Sequence, residues 1–153
     1  MTTSRDNKCL TSAGLAEGTG ANTFQIVRAF DALIAGRAVR KAAADSIAFA
    51  AHTGTTFTSL AAGQMTAYFF MMNAAGTVTQ IQSSVVANPA GATYVPGVWE
   101  WPDRDGFVCI GALTVRTNGA AVFVPGTTDL GAADVVDVFY DALPDVTAKP
   151  LAY

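Results

Sequence analysis

The chain has 153 residues, of which 51% are hydrophobic and only 14% charged, with a formal net charge of −3. That length suits one domain with a sizeable core, but about a quarter of a soluble domain is ordinarily charged, so the shortfall points to self-assembly or to docking on a larger body. The nine basic residues are scattered, only Arg37, Arg40 and Lys41 lying close together, and no apolar run approaches the ~20 residues of a membrane span, so neither nucleic acid nor a membrane is an expected partner.

Residues 1–22 are polar, rich in Gly, Ser and Thr, and lack periodicity. They are expected to form an N-terminal arm, disordered alone, ahead of a β domain at 23–142 and a C-terminal tail at 143–153. The first residues lack the apolar stretch of a signal peptide, so use without secretion is expected. Thr23–Ala35 admits two readings. Phe24, Ile26, Phe30, Ala32 and Ile34 fit a strand's period of two. Gln25, Arg28 and Asp31 repeat every three, and Asn22 and Gly36 would suit the two ends of a helix. A hairpin turn at Ala35-Gly36 makes the segment strand; Gly36 as a helix terminator makes it helix. Arg37–Ala51 reads as strand, interrupted near Ala42–Asp45, with Val39, Ile47 and Phe49 as core.

Thr53–Gly63 reads as a Thr/Gly loop around a short strand at Phe57–Leu60. Gln64–Met72 is a strong strand. Met65, Ala67, Phe69 and Met71 line one face and Tyr68, Phe70 and Met72 the other, so it is buried on both sides or faces a partner. Asn73–Gly76 is a loop ending on a glycine suited to the left-handed region. Thr77–Gln82 then returns as a half-exposed strand. Ser83–Asp105 is an irregular excursion punctuated by proline and glycine. Phe107–Thr117 and Ala120–Val124 are predicted to pair as the central hairpin across an Asn118-Gly119 type I′ turn, stopped by Pro125-Gly126. Asp134–Ala142 alternates as a last strand, with a short helix as the other option. The whole implies a mainly-β protein, an antiparallel sandwich or barrel built from hairpins, with extended N- and C-terminal arms.

Motifs that carry chemistry are weak. His52 is the one imidazole, and Asp45-Ser46 lies upstream of it, but no nucleophile elbow surrounds the serine. Glu100, Asp103 and Asp105 form an acidic loop short of a glycosidase pair or a calcium loop. Gly14, Gly18 and Gly20 precede no phosphate-loop Lys-Ser/Thr. Cys9 and Cys109 are expected to be free thiols, and with His52 they cannot complete a structural zinc site. No catalytic residue, metal or cofactor is expected. Trp99 and Trp101 flank one residue and point to one side of an extended segment, which suits an interface or a sugar platform as well as a plug on the sandwich. Candidate contact residues are Trp99, Trp101, Tyr68, Phe70 and, in the tail, Tyr153.

Three features together carry a resemblance: Ile34-Ala-Gly-Arg37, the Asn73-Ala-Ala-Gly76 hairpin, and Gly106-Phe-Val-Cys-Ile-Gly111 leading to Phe123-Val-Pro-Gly-Thr-Thr128. Over about Phe30–Phe139 the chain resembles small virion proteins of tailed bacteriophages, the capsid decoration (cement) and head-fibre proteins. The resemblance favours strand for Thr23–Ala35. It implies a non-enzymatic homotrimer on the outer capsid surface, assembled in the host cytoplasm, that bridges neighbouring subunits of the major capsid protein. A head-fibre or tail adhesin binding host-surface glycan through Trp99 and Trp101 is the alternative.

Overall fold

The computed structural model describes residues 7–87 and 101–142. Among them run eleven strands and no helix: β1 (Lys8–Cys9), β2 (Leu15–Glu17), β3 (Thr23–Ile26), β4 (Phe30–Ile34), β5 (Arg37–Lys41), β6 (Ala44–Ala48), β7 (Gln64–Asn73), β8 (Val78–Gln82), β9 (Val86–Ala87), β10 (Phe107–Thr117) and β11 (Val135–Asp141). A large sheet in the order β11-β10-β7-β8, with β9 also on β7, is backed by two small ones, β1-β4-β5 and β2-β3-β6. The result is sandwich-like and not a closed barrel. Thr23–Ala35 is therefore strand, as β3 and β4.

The alternation in β7 builds the core. Tyr68, Phe70 and Met72 point inward with Val108, Ile110, Leu113 and Val115 of β10, onto Phe24 and Ile26 of β3 and Phe30 and Ile34 of β4. Phe24 meets Phe70 edge to face, with ring centroids 4.7 Å apart, the arrangement that aromatic quadrupoles prefer. The register of β10 on β7 slips between Cys109 and Gly111, leaving Ile110 as an extra residue. Such a bulge lets Ile110 and Leu113 both face the core. It also brings the backbone of β11 against Gly111, where a Cβ would overlap the Tyr140 carbonyl oxygen and the Leu15 side chain.

Turn chemistry explains the hairpins. Ala35 and Gly36 have φ of 50° and 74°, the two left-handed positions of a type I′ turn, and Ile34 lies opposite Arg37. In the Asn73–Gly76 loop the Asn73 carboxamide oxygen accepts from the N–H groups of Ala75 and Thr77, as asparagine does in turns.

Four expectations are corrected. Ala120–Val124 does not pair with β10. Asn118 instead donates to Asp134 and β10 pairs with β11 over seven residue pairs. The reason is burial: β11 sends both Val135 and Phe139 to the core, whereas the 120–124 arm has one inward side chain, Phe123. That residue bridges Leu60 at the end of the sandwich and leaves Val122 and Val124 exposed. Phe57–Leu60 is accordingly a loop with a single bridge. β8 is more covered than half-exposed, because Gln80 exchanges backbone hydrogen bonds with Ala50 and His52 along its outer edge. The described part of the expected arm, residues 7–22, is not loose. β1 pairs with β4 and β2 with β3, and Cys9, Ala13 and Leu15 are buried. Residues 1–6, 88–100 and the expected tail 143–153 lie outside the described residues.

Candidate functional site

Cross-strand register places a second apolar surface on the outer face of the large sheet. Reading across the strands, Met65 lies between Val86 and Arg116, and Arg116 faces Val136. The next rows run Ala67–Thr114–Val138 and Ile81–Phe69–Ala112–Tyr140. Ala67, Phe69, Met71, Ile81 and Ala112 are buried, with Trp101, Phe107, Cys109 and Tyr140 packed on them. Toward β9 and β11 the covering thins. Val86 is 46% exposed and Val138 44%, beside a shallow groove of ≈ 170 Å³ lined by Met65, Thr114, Arg116, Val136 and Tyr140 among others. An apolar stripe rimmed by one arginine has the composition of surfaces that bury against protein.

The flank of the sandwich at β11 and β2 is acidic. Glu17 of β2 has its carboxyl raised above the usual range by burial and then by the carboxylates of Asp137 and Asp129. Asp137 is raised by burial, against the pull of its own backbone N–H. One strand end along, Asp141 ties the last strand to the segment that holds Ser12 and Leu15. Its carboxylate accepts from the Leu15 N–H at 2.8 Å and the Ser12 hydroxyl at 3.1 Å. Arg28 donates to that hydroxyl at 2.8 Å and stands 4.0 Å from the same carboxylate. The far flank, β5, carries Arg37, Arg40 and Lys41; Arg40 grips both oxygens of Asp31 at 3.0–3.1 Å.

The expected contact residues separate. Tyr68 and Phe70 are both 0% exposed, so neither is a contact residue. Their side chains are on the inner face of β7, where Tyr68 is ringed by Phe49, Phe57 and Phe123 and its hydroxyl is buried with no partner. Trp101 is half-buried on the outer face, edge-on to Phe69, with its indole N–H also buried and unpartnered. Trp99, Glu100 and Tyr153 lie outside the described residues.

The groups weighed for chemistry do not converge. His52 is 6% exposed, bonded to the Thr79 hydroxyl through Nδ1 and edge-on to Phe107. Burial, and then Arg104, hold its pKa below the ordinary value. Asp45 is bonded to Thr19 and Ser46 to Gly20, not to His52. Hydrogen bonds from Thr19 hold the Asp45 carboxyl low. Both cysteines are free. Burial pushes Cys9 up to about 12 and raises Cys109 as well, which removes thiolate reactivity near neutral pH. Among the described residues no group of three or more His, Cys, Asp or Glu is placed to hold a metal ion.

The two-sided apolar pattern of β7 foretold the outer face. Nothing local foretold the acidic flank, because Glu17 is far in sequence from Asp129 and Asp137. Compared with protein-family models, curated proteins and solved structures, the chain has no significant match.

Proposed function

We propose that this chain is a non-enzymatic virion structural protein, a homotrimer that decorates and stabilises a bacteriophage capsid by bridging neighbouring subunits of the major capsid protein. The observation that carries the reading is the outer face of the large sheet. It is a rigid, pleated, apolar surface whose exposed margin, Val86 and Val138, has no counterpart within the described residues. Burying apolar surface stabilises an interface by roughly 25 cal/mol per Å², less the costs of association. A sheet braced by a full core loses little freedom on docking, which keeps those costs low. Two of the motifs that carry the resemblance to phage decoration proteins lie on this sheet, the Asn73–Gly76 loop between β7 and β8 and the Gly111 bulge of β10, while the Ala35-Gly36 turn joins β4 to β5 in a small sheet.

The glycan-binding alternative needs an open aromatic platform, and the packing of Trp101 on Phe69 does not favour it. Co-sedimentation of the purified chain with capsid shells prepared without it tests the proposal. Saturable binding that weakens in Val86→Asp and Val138→Asp, with Trp101-independent silence on a glycan array, is the expected result. Shells that ignore the wild-type chain, or glycan binding abolished by Trp101→Ala, would reverse the choice.

A further inference from the structure

Two of the strand edges that no other strand pairs with among the described residues, those of β5 and β11, carry opposite charge. β4 spends its odd residues on β1, as the Leu10 N–H bonded to the Asp31 carbonyl shows. Its even residues therefore face Arg37, Val39 and Lys41 of β5. Hydrogen bonding alternates along a strand, so the backbone groups of Ala38 and Arg40 point away from the sheet. On the other flank Asn118 donates to Asp134 and Ala142 donates to Ile110, so the even residues of β11 face β10. Those of Asp137 and Phe139 point outward.

We propose that copies of this chain join head to tail by strand addition, the β5 edge of one against the β11 edge of the next, antiparallel, with Ala38 opposite Phe139 and Arg40 opposite Asp137. The proposal rests on the homo-oligomeric part of the function proposed above and names the surfaces that make it. Parity restricts the register, because only outward-facing residues can be hydrogen-bonded partners. Of the registers that parity allows, this one also matches side chains. Arg40, held in the single chain by Asp31 across β4, is shared with or passed to the acidic flank of Glu17, Asp129 and Asp137, whose carboxylates crowd one another in the single chain. Half-buried Val39 lands on Val138, one of the exposed valines. A head-to-tail contact uses two different patches, so it closes into a ring when the rotation between copies allows. It also covers both of these edges, which is one way sheets avoid uncontrolled pairing.

Native mass and sedimentation velocity of the full chain test this, with far-ultraviolet spectra and melting curves confirming that each variant folds. The wild type is expected to run as a closed multiple of 15.8 kDa. Arg40→Glu or Asp137→Lys alone is expected to weaken assembly by about tenfold or more, and the double variant Arg40→Glu/Asp137→Lys to restore it. Ala38→Pro, which removes one outward N–H and no bond to β4, is expected to dissociate the assembly while the monomer stays folded. A wild type that is monomeric, an assembly indifferent to both reversals, or a double variant no better than the singles overturns the proposal. Shell binding is scored separately. Monomers that bind shells would defeat this interface and leave the decoration reading intact, whereas edge-joined rings that ignore shells would do the opposite.

Discussion

Replacing Asp141 by alanine cuts the link between the start of the described chain and its last strand. The carboxylate holds the Leu15 N–H at 2.8 Å and the Ser12 hydroxyl at 3.1 Å, with Arg28 beside them. A hydrogen bond to a charged group contributes about 1.5–3 kcal/mol net, the weaker hydroxyl contact adds less, and Leu15 loses part of its burial against the core. The expected loss is about 2–4 kcal/mol, or a fall in Tm of roughly 5–15 °C for a domain of this size. Asp141→Asn keeps an oxygen for the Leu15 N–H and is expected to cost only about 1 kcal/mol. Urea unfolding at pH 7 and one fixed protein concentration reads both values from the midpoint at unchanged slope. Hydrogen exchange at the Leu15 amide should accelerate in the alanine variant. An alanine variant within about 0.5 kcal/mol of wild type, or an asparagine variant equally damaged, would refute the reasoning.

Tyr68→Phe is expected to stabilise the protein by about 1 kcal/mol, because the hydroxyl it removes is buried without a partner; a destabilisation in equilibrium unfolding would show that the hydroxyl is satisfied. Gly111→Ala is expected to cost more than about 3 kcal/mol or prevent folding, since its Cβ overlaps the Tyr140 backbone, whereas Gly36→Ala, open on all sides but at φ +74°, should cost about 1 kcal/mol. Equal melting of the two variants would contradict the bulge argument. The pH profile has two limbs. Glu17 and Asp137 have raised values, so the folded state holds their protons more tightly and stability falls as pH rises through the window from their ordinary to their raised values. The acids facing Asp137 are Glu17 from β2 and Asp129 from the loop before β11, so in the monomeric Ala38→Pro background, where no neighbouring copy offsets their charge, Asp137→Asn should raise Tm at pH 7 and flatten that limb. His52 is held low, so stability also falls as pH drops below its ordinary value of about 6.5; His52→Gln should remove that second limb in melts run from pH 7 to pH 5, and a limb that persists would assign it elsewhere.

What was legible in the chain was what nearest neighbours decide. β7 and β10 announce themselves by alternation, and the Ala35-Gly36 and Asn73–Gly76 turns by residues that tolerate the left-handed region. Asn118-Gly119 carried an equally strong local signal and misled. A local turn preference of about 1 kcal/mol does not outweigh the burial of Val135 and Phe139 that pairing β11 with β10 provides. The N-terminal segment was illegible for a related reason. Cys9, Ala13 and Leu15 follow no period, and β1 and β2 are held by partners far along the chain: Asp31, Ala32 and Asp141. Of the candidate site, the outer face could be read from β7 alone. The acidic flank and the oppositely charged edges of β5 and β11 exist only once the sheets have assembled.

The central claim is that this chain fastens other protein subunits together. Capsid shells prepared without it, then incubated with and without the purified chain and heated, test that claim most directly. The account predicts stoichiometric uptake and a higher temperature of shell rupture, with the gain lost in Val86→Asp/Val138→Asp. Uptake without any gain in shell stability, or no uptake at saturating protein, would contradict it.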